Sequence, residues 1–163
     1  MAYKIISKHT VKQGHFVSFL SVAFIFSHSV HAEPGKGLID GKLAVCPDKQ
    51  NCVSTENNAL TPISIHIQTP EEAWLILKTV ITEMGGNIIK FHSDYLWASF
   101  ETSLMKFTDD VEARLDLENK VIHLRSASRV GYYDFNANNK RLKRIIKRVS
   151  NKLEPDRFKN INE

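Results

Sequence analysis

The sequence predicts an α+β fold: one antiparallel sheet of about four to five strands with two helices packed on it. Between residues 87 and 129, short runs of β-branched and aromatic residues follow one another across tight turns, which join antiparallel strands. Helical-period apolar stripes lie before and after this region. Because the helices do not alternate with the strands, they are expected to cover one face of the sheet instead of forming a doubly wound fold.

Residues 1–32 are typical of a secretory signal. Three lysines precede an apolar run from Phe16 to Phe26, and small residues ending at Ala32 suit signal peptidase. The alternative is a retained membrane anchor, but the apolar run is too short to span a bilayer comfortably. We therefore expect an exported protein, in the bacterial periplasm, with residues 33–163 as a single α+β domain whose two ends lie on the surface or fray.

The mature chain is nearly neutral and its charge is unevenly distributed. The full chain has 22 Lys/Arg and 18 Asp/Glu, and the signal removes three lysines, which leaves 19 against 18. Residues 33–139 carry 10 basic and 15 acidic side chains, whereas residues 140–163 carry 9 and 3. This distribution argues against nucleic acid as a partner, since the basic charge is confined to one segment of an exported chain.

Cys46 and Cys52 are predicted to form a disulfide. They enclose five residues and follow the signal, so they would lie in an oxidising compartment, where such a bridge contributes roughly 2 kcal/mol. A metal pair would need further ligands, but the mature histidines are scattered singly. A redox pair more usually has two intervening residues. We predict no metal site and no cofactor.

The first helix follows a short strand near Ile63–Ile67. Thr69 can cap it, Pro70 suits its first turn, and Gly85-Gly86 end it. A hairpin should come next, with its turn at Ser93-Asp94. In that register the facing pairs are Phe91 with Leu96, Lys90 with Trp97, and Ile89 with Ala98.

A second hairpin has Leu117–Lys120 as its connection. One face then pairs Val111, Ala113 and Leu115 with Ser126, Leu124 and Ile122, and the other pairs Glu112 with Arg125 and Arg114 with His123. Asp110 lies opposite Ala127, within diagonal reach of Arg125 and Arg129. The simplest interpretation is an exposed charge ladder of Asp110 and Glu112 with these arginines, and His123 as a surface residue.

The last helix has an apolar stripe surrounded by basic residues. Leu142, Ile145, Ile146, Val149 and Leu153 form the stripe. We expect the stripe to pack on the sheet and the basic face to be solvated; the alternative is contact with an anionic lipid surface or an acidic protein.

Four separated motifs, "CPDKQNCVS", "FTDDVE", "VIHLRSASRVGYYD" and "NNKRL", resemble the domain of unknown function 1499 family over roughly residues 43–150. The resemblance implies a compact domain without an established activity. It directs attention to these residues: Cys46, Asn51, Cys52, Asp109, Asp110, Glu112, Arg125, Ser126, Ser128, Arg129, Gly131, Asp134, Asn138 and Arg141.

The sequence departs from the family pattern at two positions. Asn136 replaces the usual glycine, which a left-handed conformation accepts because Asn tolerates it better than other side chains. Asn139 replaces the usual arginine. If that arginine completed an anion site, the site of this protein is weaker or differently shaped.

Two function classes follow. The first is a non-catalytic envelope module that binds an anionic small molecule or partner, because arginine forks suit carboxylates and phosphates. Its ligand-binding residues would be Arg125, Ser126, Ser128, Arg129, Asp134, Asn138 and Arg141. The second is a hydrolase using Asp109, Asp110 and Glu112. Strand alternation separates these carboxylates, and no nucleophile has an adjacent base, so we assign no catalytic residue.

Overall fold

The computed structural model describes residues 35–66, 68–102 and 106–154. The predicted signal, its cleavage after Ala32 and the C-terminal tail from residue 155 lie outside these ranges. Within them, no helix has the length and apolarity needed to cross a membrane.

The fold is α+β, with a six-stranded antiparallel sheet and a separate two-stranded hairpin. The sheet order is β3-β8-β7-β6-β5, and β4 also pairs with β8. The strand count exceeds the expected four to five because two short strands share one edge of β8. The elements are β1 (Leu38–Ile39), β2 (Lys42–Leu43), β3 (Cys52–Ser54), β4 (Ile63–Ser64), α1 (Pro70–Glu83), β5 (Asn87–Phe91), β6 (Tyr95–Glu101), β7 (Thr108–Asp116), β8 (Val121–Ser128) and α2 (Ala137–Leu153).

Helix α1 begins where the sequence predicts. The Thr69 hydroxyl accepts the amide of Glu72, and the Glu72 carboxylate accepts the amide of Thr69, which forms a capping box. Ala73, Trp74, Leu77, Val80 and Ile81 are buried on one face.

The register of the β7–β8 hairpin is confirmed for every predicted pair, from Asp110 opposite Ala127 to Leu115 opposite Ile122. In the β5–β6 hairpin, Phe91–Leu96 and Lys90–Trp97 are also confirmed. The predicted pairing of Ile89 with Ala98 is wrong, because a bulge between Ile88 and Lys90 places Ile88 there instead. A bulge adds one residue to one strand and therefore shifts every pair beyond it.

The main core lies between the sheet and both helices. Helix α2 is docked as expected, since its stripe of Leu142, Ile145, Val149 and Leu153 is buried against the sheet and α1. From the strands, Leu96, Ala98, Val111 and Leu124 are among the side chains that enter this core, each fully shielded from solvent.

The opposite face of the sheet is also covered. Residues 35–44 run across it: Leu43 and Ala44 are buried, and a Cβ on Gly35 would overlap the indole of Trp97. The start of the mature chain, which we expected on the surface or frayed, is exposed at Lys36 and at residues 39–42. Its two short strands pair with each other and Gly35 lies against Trp97, so the segment is an ordered surface layer. The β1–β2 hairpin makes a third layer, and the charged face of β7 and β8 lies beneath it.

Candidate functional site

Strand alternation sends the carboxylates of β7 to opposite sides of the sheet. Asp110 and Glu112 point toward the layer formed by residues 35–44, which we call the covered face. Asp109 points toward α2, which we call the helix face. All three carboxylates are buried, with 2% exposure for Asp109, 5% for Asp110 and 0% for Glu112.

On the covered face, Glu112 is held by two partners. Its Oε1 accepts the Tyr95 hydroxyl at 2.6 Å, and its Oε2 accepts Arg125 Nη1 at 2.7 Å. Burial and this bond to a carboxylate raise the pKa of Tyr95 well above its usual range. Arg125 Nε is buried without a hydrogen-bond partner among the described residues. The arrangement is a charge pair shielded from water.

Beside it, Asp110 binds Arg129 through both carboxylate oxygens, at 2.8 and 2.9 Å. The Trp97 indole also donates to Asp110 at 2.8 Å. The side-chain hydrogen bonds to Asp110 raise the pKa of Arg129. The cross-strand pairing of Glu112 with Arg125 is confirmed, but the expectation of an exposed charge ladder is wrong because the β1–β2 layer covers it.

A third ion pair continues along the same face. Arg114 Nε donates to Glu56 at 2.6 Å and its Nη1 to Asp116 at 3.1 Å. His123, which we expected on the surface, is only partly exposed beside these groups, with Nδ1 3.2 Å from the Thr55 hydroxyl. Burial lowers the pKa of His123.

On the helix face, Asp109 pairs with Arg141 of α2. Arg141 Nη2 lies 2.6 Å from Asp109 Oδ2, while Nη1 donates to Asn138 Oδ1 at 2.6 Å and to the Ser126 hydroxyl at 3.2 Å. Its guanidinium also lies 5.0 Å from the Phe100 ring centre. These bonds fix the first two turns of α2 to the centre of the sheet.

Asn138 connects this cluster to the N-terminus of α2. Its side-chain nitrogen, Nδ2, donates to Asp134 Oδ2 at 2.7 Å, to the Ser128 hydroxyl at 2.9 Å and to the backbone carbonyl of Asn51 at 3.1 Å. Asp134 also accepts the Asn138 backbone amide at 2.8 Å, although it precedes the nominal cap residue by two positions. Asp134 therefore acts as the cap of α2.

The seven residues predicted to bind a ligand divide between the two faces. Ser126, Ser128, Asp134, Asn138 and Arg141 lie together on the helix face, whereas the side chains of Arg125 and Arg129 lie on the covered face. Each of the three arginines already pairs with a carboxylate. They do not converge on a shared anion.

The three carboxylates of the hydrolase hypothesis are likewise divided between the faces, each next to an arginine. No group of three or more His, Cys, Asp or Glu side chains that could hold a metal ion occurs within the ranges that the structure describes.

The Cys46–Cys52 bridge is present, with a Cα–Cα distance of 5.6 Å. A cavity of about 200 Å³ lies beside it, and both positions that depart from the family pattern line this cavity. Asn136 has φ 65°, the left-handed conformation expected where glycine is usual. Asn139 Oδ1 is buried without a hydrogen-bond partner among the described residues. The asparagine at this position therefore leaves one buried acceptor unsatisfied beside the cavity.

The loop between β8 and α2 exposes apolar side chains that the sequence analysis did not single out. Val130 is 40% exposed, Tyr132 59%, Tyr133 55% and Phe135 79%. The Tyr133 and Phe135 rings meet edge to face at 5.0 Å. Phe135 also has φ 53°, which is an outlier for a bulky side chain. Stability alone gives no reason to place an exposed phenylalanine in this conformation.

Val130, Tyr133 and Phe135 border a pocket of about 430 Å³, which we call the aromatic pocket. Its polar side chains are Thr102 and three members of the helix-face cluster, Asp109, Ser128 and Asp134. The full lining is Thr102, Phe107, Asp109, Ser128, Val130, Gly131, Tyr133, Asp134, Phe135 and Ala137. Its volume is within the range of small-molecule sites.

Sequence reasoning found the polar part of this pocket and missed the apolar part. Ser128 and Asp134 were predicted as ligand-binding residues because of the family resemblance. Phe107, Tyr133 and Phe135 were not, because they belong neither to the alternating pattern of a strand nor to the apolar stripe of a helix. The available signal was the run "VGYYDF", which places four apolar residues outside any periodic pattern.

Comparison with known proteins gives a family and no function. The model of the family described as protein of unknown function (DUF1499) matches residues 42–149, which include both arginine-paired faces and most of α2. No curated protein matches the chain.

Proposed function

This chain belongs to the protein family of unknown function DUF1499, and we propose that it is an exported, non-catalytic binding module of the bacterial envelope whose ligand occupies the aromatic pocket. The observation that carries the proposal is Phe135, a residue that is 79% exposed and has a left-handed backbone conformation at the rim of the pocket. Strained residues that persist on a surface are concentrated at binding and catalytic sites.

The polar atoms at the pocket define the ligand class. Asp109, Ser128 and Asp134 line it, and they offer oxygen atoms, whereas no lysine or arginine is among its lining residues. Asp109 is charge-paired with Arg141, so the pocket does not demand a cationic ligand. We infer a ligand with an apolar body and a hydrogen-bond donor, in place of the anion that the arginine pattern suggested.

The paired charges support a binding role over catalysis. A general acid or base must lie within hydrogen-bond reach of the substrate proton that it transfers. Asp110 and Glu112 instead lie under the β1–β2 layer, paired with Arg129 and Arg125. Asp109 is the one carboxylate of the hydrolase hypothesis that lines the pocket, and its Oδ2 accepts a hydrogen bond from Arg141 at 2.6 Å.

Two dyes that differ in charge test the ligand class. N-phenyl-1-naphthylamine is neutral and apolar, and 8-anilinonaphthalene-1-sulfonate adds an anionic group to a similar ring system. We expect saturable fluorescence enhancement with the neutral dye and weaker binding of the sulfonate. Tighter binding of the sulfonate, reduced by Arg129→Ala, would favour the anion site and contradict the proposal.

A pair of variants locates the binding. Tyr133→Ser with Phe135→Ser removes the rim and should abolish saturable binding of the neutral dye. Leu75→Ser is the matched control, because Leu75 is a 55% exposed apolar residue on α1, away from the pocket. Equal dye binding by both proteins would rule out the aromatic pocket as the site.

Export has its own test. The intact mass of protein purified from the cell envelope should correspond to a chain beginning at Glu33 with Cys46 and Cys52 oxidised. A mass that includes the signal, or two thiols that alkylate without prior reduction, would refute export with processing.

A further inference from the structure

Helix α2 carries a one-sided line of cations. It has seven Lys or Arg residues and no Asp or Glu between Ala137 and Leu153. Two of the seven have partners: Arg141 pairs with Asp109, and Lys152 pairs with Glu83 of α1 at 3.0 Å. The other five are exposed and make no ion pair within the described chain. They are Lys140, Lys143, Arg144, Lys147 and Arg148.

Helix geometry puts these five cations on one arc, which we call the basic arc. At about 100° per residue, they span about 140° of the helix circumference, centred opposite the buried stripe that includes Leu142 and Val149. From Lys140 to Arg148 the arc is about 12 Å long at 1.5 Å per residue. The docked stripe fixes the direction of the arc, so all five cations project to solvent from one side of the domain.

A solvated helix face does not require this composition. Exposed helix faces usually mix both signs of charge, and α1 in the same domain does so, with Glu71, Glu72 and Glu83 beside Lys78. Unrelieved repulsion between like charges at i, i+4 spacing destabilises a helix. Lys140 with Arg144, Lys143 with Lys147, and Arg144 with Arg148 all have that spacing. The domain tolerates this cost in the absence of a bound anion.

We propose that the basic arc of α2 docks the domain on an anionic lipid bilayer. A bilayer surface presents negative head groups over an area larger than the arc, and basic helices are attracted to it. The loop before α2 favours a bilayer over an acidic protein, because it exposes Tyr132 and Phe135, and aromatic side chains partition to the membrane interface.

Sedimentation with vesicles tests the proposal. The purified, disulfide-bonded protein should bind phosphatidylcholine vesicles that contain phosphatidylglycerol, bind pure phosphatidylcholine weakly, and lose affinity as salt is added. Lys143→Glu with Lys147→Glu should weaken binding at least about 25-fold, since each basic residue near an anionic surface contributes about fivefold. Lys143→Gln with Lys147→Gln should give a smaller loss in the same direction.

The matched control is Lys36→Glu with Lys42→Glu. It changes net charge equally, at exposed positions of the layer on the other side of the sheet, and should leave vesicle affinity unchanged. Absent binding, or equal losses in the two charge-reversed proteins, would overturn the proposal. Soluble polyglutamate provides the last arm: affinity for it equal to that for the vesicles would assign the arc to an acidic protein instead.

Discussion

The ion pair between Arg125 and Glu112 gives the sharpest test of the covered face. The Glu112 side chain is 0% exposed and that of Arg125 is 10% exposed, with 2.7 Å between Oε2 and Nη1. Arg125→Ala leaves a carboxylate that water cannot reach, with the Tyr95 hydroxyl as its remaining side-chain donor within the described ranges. Removing one member of a buried pair costs about 3–5 kcal/mol, which is a large part of the stability of a small domain.

Urea unfolding followed by circular dichroism measures this loss. Lys106→Ala is the matched control, because the Lys106–Glu101 bridge has a similar length of 2.8 Å but side-chain exposures of 73% and 60%. Breaking an exposed bridge of this kind should cost much less than breaking the buried pair, because water solvates the charge that remains. The denaturant slope should stay the same in both variants if the unfolding remains two-state.

A triple variant separates the charge effect from lost packing. Tyr95→Phe, Glu112→Leu and Arg125→Met together remove every charged or hydroxyl group of the pair while keeping side-chain volume. Because apolar replacements of buried ion pairs are often neutral or stabilising, this protein should be more stable than Arg125→Ala. The reasoning fails if Arg125→Ala costs no more than Lys106→Ala.

Two further predictions concern the covered face. Burial lowers the pKa of His123 below its ordinary 6.5, so the unfolded chain binds a proton first and stability falls as pH drops through and below 6.5. His123→Gln should show a smaller decrease in urea midpoint between neutral and mildly acidic pH; an unchanged decrease would contradict this. Gly35→Ala, at φ 58° and against the Trp97 ring, should destabilise more than Gly37→Ala, at φ 73° in open space. Equal urea midpoints for these two variants would show that the 35–44 segment does not pack as described.

The β7–β8 hairpin shows what sequence could determine. Alternation along both strands and a four-residue connection leave one register that keeps Val111 and Leu124 on the same face, and the structure has that register. The β5–β6 hairpin shows the limit, because nothing in the residues around Ile89 marks the extra residue of the bulge. The alternation of apolar and polar residues therefore specifies the register of a strand pair only as far as the backbone keeps regular strand geometry.

The covered face was misjudged for a different reason. Alternating charged residues on a strand normally indicate a solvated face, and the layer that buries them consists of two strands of two residues in a Gly-rich segment. Such strands are too short for any periodicity to be detected. The available signal was the equal number of opposite charges. Asp110 and Glu112 have two arginines within reach, Arg125 on β8 and Arg129 directly after it, and buried charges must be paired.

The distribution of the charges also explains why the arginine motif did not indicate the ligand. In "RSASR", alternation points Arg125 and Arg129 away from α2, and directs the small residues Ser126 and Ser128 toward it. Small hydroxyl side chains at those positions let Asn138 and Arg141 approach the sheet, which orders the start of α2. The residues that order α2 also hold Asp134, and Asp134 in turn fixes the loop that carries Phe135. The family motif therefore lies beneath the proposed binding surface, while the exposed rings and the basic arc are the parts that would contact a ligand or a membrane.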